Sequence, residues 1–202
     1  MIKNLKVDNV DCLHGTIVTV KNFNDFKDVF SVFREEPFYE DWQDDSIREQ
    51  FDYLKENGEV LGYYTDRNIV GIYSMVGGAI PTHPVKFIEP EKVIYLSDIA
   101  IKKKYRGKGY AKDLVNFFMN YFENQDYYNE AYFRTNLVGS MSERLMLPYG
   151  FKPILDKDGN IITEDVSFDR TNDNLETLDR RKFLFKKRGE NNVQHSRKTY
   201  FL

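Results

Sequence analysis

The chain of 202 residues has a single cysteine, Cys12, and only three histidines. One thiol excludes a disulfide within the chain and a multi-cysteine metal site, and it favours a reducing compartment such as the cytoplasm. The histidines, His14, His83 and His195, are scattered and lack the spacing of metal ligands. We therefore expect no metal site.

Long apolar runs are also missing. The most apolar segment, Ile69 to Ile80, has about twelve residues and contains glycines, whereas a membrane span needs roughly twenty. The N-terminal residues lack the apolar block of a signal peptide. The formal net charge of −3 argues against a general nucleic-acid binder, which is usually strongly basic. We expect a cytoplasmic protein with neither a membrane nor a nucleic acid as partner. Monomer and homodimer both stay open.

Aromatic residues are abundant, with 16 Phe and 14 Tyr, and hydrophobic residues make up 41% of the chain. This composition is typical of a globular protein with a large core. We expect one domain at 15–190, preceded by an arm at 1–14 and followed by a tail at 191–202. The arm is either mobile or an extra edge strand.

Hydrophobic periodicity predicts strands and helices in mixed order. The predicted elements are a strand at 15–21, a helix from 24 to 36 capped by Asn24, a helix at 45–57, a hairpin of strands at 60–64 and 69–76, a strand at 92–101, a helix of about fifteen residues after Gly109, a strand at 130–136, a short helix ending near Pro148, and a strand at 180–187. The strand–helix–strand crossover at 92–135 predicts an α/β fold, with a mixed sheet covered by helices on both faces.

The segment Ser97 to Leu114, SDIAIKKKYRGKGYAKDL, joins a strand to a helix through a cationic glycine turn. Gly107 and Gly109 allow a tight bend, and the start of the helix exposes unpaired N–H groups with partial positive charge. These features suit a phosphate group. A solvated lysine loop is the alternative. Neither a nucleotide P-loop nor a complete dinucleotide fingerprint is present.

The residues Lys104 to Gly109, KYRGKG, resemble the acetyl-CoA-binding motif of the GNAT superfamily of N-acyltransferases. That motif is Gln or Arg, two residues, Gly, one residue, then Gly or Ala, and Lys104 departs from it at the first position. The order of elements across 15–187 is similar as well. The resemblance implies a GNAT-like, mostly antiparallel mixed sheet and acetyl-CoA as cosubstrate. It assigns main-chain contacts with the pantetheine arm to Ile99 and Ile101. The cofactor-binding turn would comprise Lys104, Arg106, Gly107, Lys108, Gly109, Tyr110 and Ala111.

The implied reaction is transfer of an acetyl group from acetyl-CoA to a primary amine. Asp98 is the candidate base, although its carboxylate could merely balance the lysines that follow. The family often has a tyrosine acid where this chain has Met146, so Tyr149, the nearest tyrosine, is the candidate acid or else a packed core residue. Gly139 replaces a frequent asparagine, and Ser142 is a candidate cofactor contact.

Residues 34–45, REEPFYEDWQDD, combine carboxylates with aromatic rings and are the basis for predicting the class of acceptor amine. Such a segment suits a cationic acceptor, for example a polyamine, an aminosugar or a basic peptide. A solvated loop with aromatic anchors is the alternative. A second function stays open: a catalytically weak module of the same fold that binds CoA or a protein. A transferase acting on aminoacyl-tRNA is disfavoured by the acidic segment.

Overall fold

A computed structural model of the protein describes residues 2, 3, 5, 7, 9–33, 43–137, 140–170 and 175–190. Four α-helices and nine strands are present in these ranges. The helices are α1 (Phe23–Phe30), α2 (Asp44–Asn57), α3 (Tyr110–Asn124) and α4 (Met141–Met146). The strands are β1 (Val10–Asp11), β2 (Thr16–Thr19), β3 (Gly58–Thr65), β4 (Asn68–Gly77), β5 (Val93–Ile101), β6 (Glu130–Asn136), β7 (Lys152–Pro153), β8 (Thr163–Arg170) and β9 (Leu175–Lys187).

All described strands belong to one sheet, in the order β1-β2-β3-β4-β5-β6-β9-β7, with β8 paired to β9. The β5–β6 pair is parallel and the other pairs are antiparallel. One hydrophobic cluster joins α3 to one face of the sheet, and a second joins α1 and α2 to the other face. The predicted fold, a mixed and mostly antiparallel sheet with helices on both faces, is confirmed.

The helices lie against the sheet through stripes of apolar residues. In α3, Leu114, Val115 and Phe118 are completely buried, as the helical spacing of these residues predicts. The cap of helix α1 lies two residues earlier than predicted, because Asn22, not Asn24, has the extended backbone of a cap and accepts a hydrogen bond from the Asp25 N–H at 3.0 Å. The helix ends at Phe30, before the predicted end at 36. Among the described residues, no helix has both the length and the apolar character needed to cross a bilayer.

The N-terminal residues contribute to the sheet and to the core. Val10 and Asp11 pair with β2 at the sheet edge, and Ile2 and Val7 are buried. At the other end, β9 begins at Leu175, five residues before the predicted strand, and it pairs with β8, a strand to which the sequence analysis assigned no residues. The tail at 191–202 lies outside the described residues.

The proline-rich loop at 81–90 covers the face of the sheet that carries α1 and α2. His83 in this loop is buried and contacts the rings of Tyr95 and Phe183. Its Nδ1 lies 3.1 Å from the Tyr132 hydroxyl, which also accepts a hydrogen bond from the Ile80 N–H. Burial lowers the pKa of His83 to about 4, so the imidazole is neutral in the folded protein at pH 7.

Candidate active site

The site is a cleft that forms where β5 and β6 stop pairing. Their parallel pairing ends at Leu96 and Phe133, although β5 continues to Ile101 and β6 to Asn136. A bulge at Ser97 interrupts the register between β4 and β5 at the same level, because Ser74 pairs with Asp98 while Met75 pairs with Leu96. The two strands therefore leave a gap in the middle of the sheet.

A cavity of about 710 Å³ occupies this gap, within the usual size range of small-molecule sites. Its wall comprises Phe33 and Tyr73, residues 96–101 of β5, Tyr105, Arg106, Gly107, Gly109, Tyr110, Ala111 and Lys112 of the glycine turn and α3, Phe133 and Arg134 of β6, Met141, Ser142, Leu145 and Met146 of α4, and Arg181 of β9. Because it is lined by residues from both faces of the sheet, the cavity passes through the sheet.

The glycine turn leaves a row of backbone donors at one end of the cavity. Gly107 and Gly109 have positive φ angles of 76° and 91°, which favour glycine. Gly109 is the N-cap of α3, and no described side chain caps the helix. In the part of the chain that the structure describes, the N–H groups of residues 107–111 donate to no protein atom. They are therefore available to a bound anion at a helix N-terminus.

The cationic side chains of the turn lie around these donors. The Arg106 Nε donates to the carbonyl oxygen of Ile101 at 2.8 Å and so closes the turn. The ammonium groups of Lys104 and Lys108 lie 4.8 and 5.6 Å from the centre of the Tyr105 ring. Lys104 and Lys108 do not line the cavity, whereas Lys112 does. Lys104 and Lys108 therefore add positive charge near the cavity but form no part of its wall.

A buried carboxylate holds the start of α3 against the sheet. Asp113 Oδ2 accepts hydrogen bonds from the backbone N–H of His14 at 3.1 Å and from the Tyr63 hydroxyl at 2.7 Å, and it lies 3.0 Å from His14 Nδ1. Burial and the bond to Asp113 raise the pKa of Tyr63, which remains a neutral donor. These contacts fix the direction in which the first turn of α3 presents its N–H groups.

Asp98 lies at the bulge, where the cavity passes through the sheet. Its Oδ2 accepts hydrogen bonds from the hydroxyls of Ser74 at 2.9 Å and Ser97 at 2.7 Å. Ser74 is 1% exposed, while Asp98 is half-buried. Two hydroxyl donors on one oxygen fix the orientation of this carboxyl group.

Most of the residues predicted for the site line the same cavity. Asp98, Ile99, Ile101, Arg106, Gly107, Gly109, Tyr110 and Ala111 do so, as does Ser142. Tyr149 does not; its hydroxyl donates to Asn116 Oδ1 at 2.5 Å. Met146 lines the cavity, so a thioether occupies the place where the family often has a phenol. Gly139 and residues 34–42 of the acidic segment lie outside the described residues.

Several residues of the cavity wall were missed by the sequence analysis, among them Tyr73, Arg134 and Arg181. Arg134 Nη1 forms an ion pair of 2.6 Å with Glu164 on β8. Arg181 neighbours β6 through the pairing of β6 with β9. Only the alternation of strand β4 could have placed Tyr73 on the face that carries α3, and nothing in the sequence connects β9 to the site.

The comparisons with known proteins agree with this geometry. The profile of the Acetyltransferase (GNAT) family matches residues 24–141, more than half of the chain. A search of curated protein sequences finds no significant match.

Solved structures share the fold at low sequence identity. An N-acetyltransferase from Staphylococcus aureus is 14% identical, with a TM-score of 0.63, covering 85% of this chain and 96% of that one. A ribosomal-protein-alanine N-acetyltransferase from Brucella melitensis is 13% identical, with a TM-score of 0.62, covering 85% and 98%. A Bacillus subtilis acetyltransferase in complex with CoA is 14% identical, with a TM-score of 0.55, covering 85% and 97%. With its glycine turn, its split sheet and its match to the family profile, the chain belongs to the GNAT acetyltransferase family.

Proposed function

We propose that the protein transfers an acetyl group from acetyl-CoA to a primary amine. The observation that carries this proposal is the row of unpaired N–H groups at 107–111, which opens into a cavity that also contains a carboxyl group, Asp98. The row suits the diphosphate of CoA, and the carboxyl group suits an amine that must lose a proton.

The residues between these two ends fit an extended pantetheine arm. Beyond Leu96, β5 pairs with no described strand on the β6 side. The main-chain groups of Ile99 and the N–H of Ile101 are therefore accessible to amide groups of a ligand, whereas the Ile101 carbonyl oxygen already accepts a hydrogen bond from Arg106. An extended ligand can add to such an edge as a strand would. Leu145 and Met146 supply an apolar wall for its methylene groups. The residues present therefore fit acetyl-CoA, which would supply an activated acyl group.

Asp98 would accept the proton of the amine. Only the neutral amine attacks, and an amine with a pKa of about 10.4 costs roughly 4.6 kcal/mol to deprotonate at pH 7. As the nitrogen bonds to the thioester carbonyl carbon and the carbon–sulfur bond breaks, the proton passes from nitrogen to the Asp98 carboxylate, directly or through water. Tyr149 remains the proposed acid for the thiolate, although its contact with Asn116 requires that it move to act there.

The charges of the cavity indicate the class of acceptor. The cationic acceptor suggested by Glu35, Glu36, Glu40 and Asp41 rests on residues outside the described ranges. Arg134 and Arg181 line the cavity on the face that carries α1 and α2, and Arg134 is paired with Glu164. We propose that Arg181 binds an anionic group that the acceptor carries beside its amine. Lysine has a carboxylate beside its α-amine, and its decarboxylated counterpart cadaverine lacks it. As acceptors, this matched pair distinguishes a site for an anionic group from a site for a purely cationic amine.

Two measurements test the proposed function. Thermal shift should show stabilisation by acetyl-CoA and CoA and not by ATP or NAD. Thiol release with a panel of amines should then show turnover, and Asp98→Asn should reduce kcat by about a hundredfold or more. Asp158→Asn, at an exposed turn residue, is the matched control and should not change kcat.

The outcomes separate the two candidate functions. If neither CoA nor acetyl-CoA stabilises the protein, the proposal is wrong. Stabilisation without turnover of any amine in the panel would favour the alternative, a module that binds CoA without efficient catalysis. Full activity in Asp98→Asn would remove this residue from the mechanism.

A further inference from the structure

Tyr73 lines the cavity and carries a buried hydroxyl that has no hydrogen-bond partner among the described residues. This residue lies on β4, opposite Ile99 of β5, and it is 1% exposed. Its hydroxyl oxygen forms no hydrogen bond within the described residues, although Tyr73 lines the cavity. Buried polar groups in folded proteins are nearly always paired, so an exception needs an explanation.

Two other fully buried tyrosines of the same sheet show the usual arrangement. The Tyr63 hydroxyl donates to Asp113 at 2.7 Å, and the Tyr132 hydroxyl contacts both the Ile80 N–H and His83. Neither Tyr63 nor Tyr132 lines the cavity. Among these three, the hydroxyl without a partner is the one whose residue borders the space where a ligand would bind.

The position of Tyr73 relative to Asp98 indicates which part of a ligand it would contact. Side chains alternate between the two faces of a strand. Tyr73 packs with Phe118 on the face that carries α3, whereas its neighbour Ser74 bonds Asp98 on the opposite face. Tyr73 and Asp98 therefore flank the gap between β5 and β6 from opposite faces, at the same level of the sheet.

We propose that, when acetyl-CoA binds, the buried Tyr73 hydroxyl turns toward the cavity and donates a hydrogen bond to the thioester carbonyl oxygen. This inference rests on the proposed function. The amine would approach from the face that carries Asp98, and the reacting carbonyl would lie in the gap, with its oxygen directed to the opposite face. A donor there stabilises the negative charge that develops on this oxygen during attack.

The hydroxyl acts as a hydrogen-bond donor and keeps its proton. Burial raises the pKa of Tyr73 well above the usual value for tyrosine, whereas a departing thiolate has a conjugate-acid pKa of about 8.5. Transfer of the proton from Tyr73 to that thiolate would therefore be unfavourable. The role of Tyr73 is distinct from the acid role proposed for Tyr149.

Tyr73→Phe removes the oxygen and keeps the ring that packs on Phe118. Without ligand, the variant should melt about 2 to 4 °C higher than the wild type, because an unpaired buried hydroxyl is destabilising. By calorimetry, the affinity for acetyl-CoA should fall about threefold to tenfold. The affinity for CoA, which lacks the carbonyl, should not change. With an active amine, kcat/KM should fall about tenfold to a hundredfold.

Tyr132→Phe is the matched control. It removes a hydroxyl that has partners and does not line the cavity, so it should lower the melting temperature and leave both affinities unchanged. Equal affinities of Tyr73→Phe and wild type for acetyl-CoA would overturn the inference, as would a parallel loss of CoA and acetyl-CoA binding, which would indicate a structural role. Failure of the wild type to bind either ligand would instead overturn the proposed function itself.

Discussion

Replacement of Gly107 or Gly109 by alanine tests directly whether the glycine turn binds a diphosphate. Both residues have positive φ angles, at which a Cβ atom costs about 1–2 kcal/mol. Their surroundings differ. A Cβ on Gly107 meets no atom of the described residues within 4 Å, whereas a Cβ on Gly109 lies 3.1 Å from His14 Cε1.

The strain of the two substitutions should therefore appear in different measurements: in the affinity for CoA for Gly107→Ala, and in the free energy of unfolding for Gly109→Ala. Because the space around the Gly107 Cβ position is open, we expect alanine to relax the turn in the free protein, so that the strain opposes binding when a ligand imposes the turn. We expect the dissociation constant for CoA to rise about 5- to 30-fold with little change in the melting temperature. Gly109 is held by α3 and His14, so Gly109→Ala should lower the free energy of unfolding by about 1–2 kcal/mol even without ligand.

Calorimetric titration with CoA and thermal unfolding measure these two effects on the same samples. Gly159→Ala is the control, because Gly159 has a φ of 84°, has no described atom within 4 Å of its Cβ position, and lies in a hairpin turn that does not line the cavity. It should leave the CoA affinity unchanged. If Gly107→Ala binds CoA as tightly as the wild type does, the backbone of this turn does not hold the diphosphate.

Two further predictions concern stability. The pKa of His83 falls from 6.5 to about 4 on folding, because burial disfavours the protonated imidazole. The folded protein is therefore fully stable, as far as His83 is concerned, above pH 6.5, where the imidazole is neutral in both states. Between pH 6.5 and 4 the unfolded state binds the proton first, and we expect about 2 kcal/mol of unfolding free energy to be lost, after allowing for solvent screening. Urea unfolding across this range should show a smaller loss in His83→Phe, and equal pH dependence in both proteins would contradict the reasoning. Ser140 caps α4 by accepting a hydrogen bond from the Glu143 N–H at 3.0 Å, so Ser140→Ala should cost about 1 kcal/mol in chemical denaturation, whereas an unchanged midpoint would exclude the cap.

Local sequence patterns predicted the parts of the fold that depend on local interactions. The glycine turn, α3 and the β3–β4 hairpin follow from residue types within short windows, and the structure contains all three. The hairpin turn is made by Asp66 and Arg67, both at positive φ. Turn residues in the sequence indicate that a turn occurs here, but they do not specify these backbone angles.

The parts that depend on distant pairing could not be predicted in the same way. Strand β9 inserts between β6 and β7, and this places Arg181 at the cavity, more than 80 residues after Asp98 in the sequence. The bulge at Ser97 depends on the register of β4 against β5, which no local signal sets. The contact of His14 with Asp113 likewise joins the N-terminal region to α3 across 99 residues.

The cluster beside α3 also bears on the chemical route. Cys12, His14 and Asp113 are the residue types of a covalent catalytic triad, yet their arrangement is not that of a triad. His14 Nδ1 contacts Asp113, while the Cys12 thiol donates to the Val10 carbonyl oxygen at 3.8 Å. Burial, followed by the charge of Asp113, raises the pKa of Cys12 to about 11, so the thiol is protonated at pH 7 and is a poor nucleophile. Because Cys12 does not line the cavity either, the geometry favours direct attack of the amine on the thioester over an acylated cysteine.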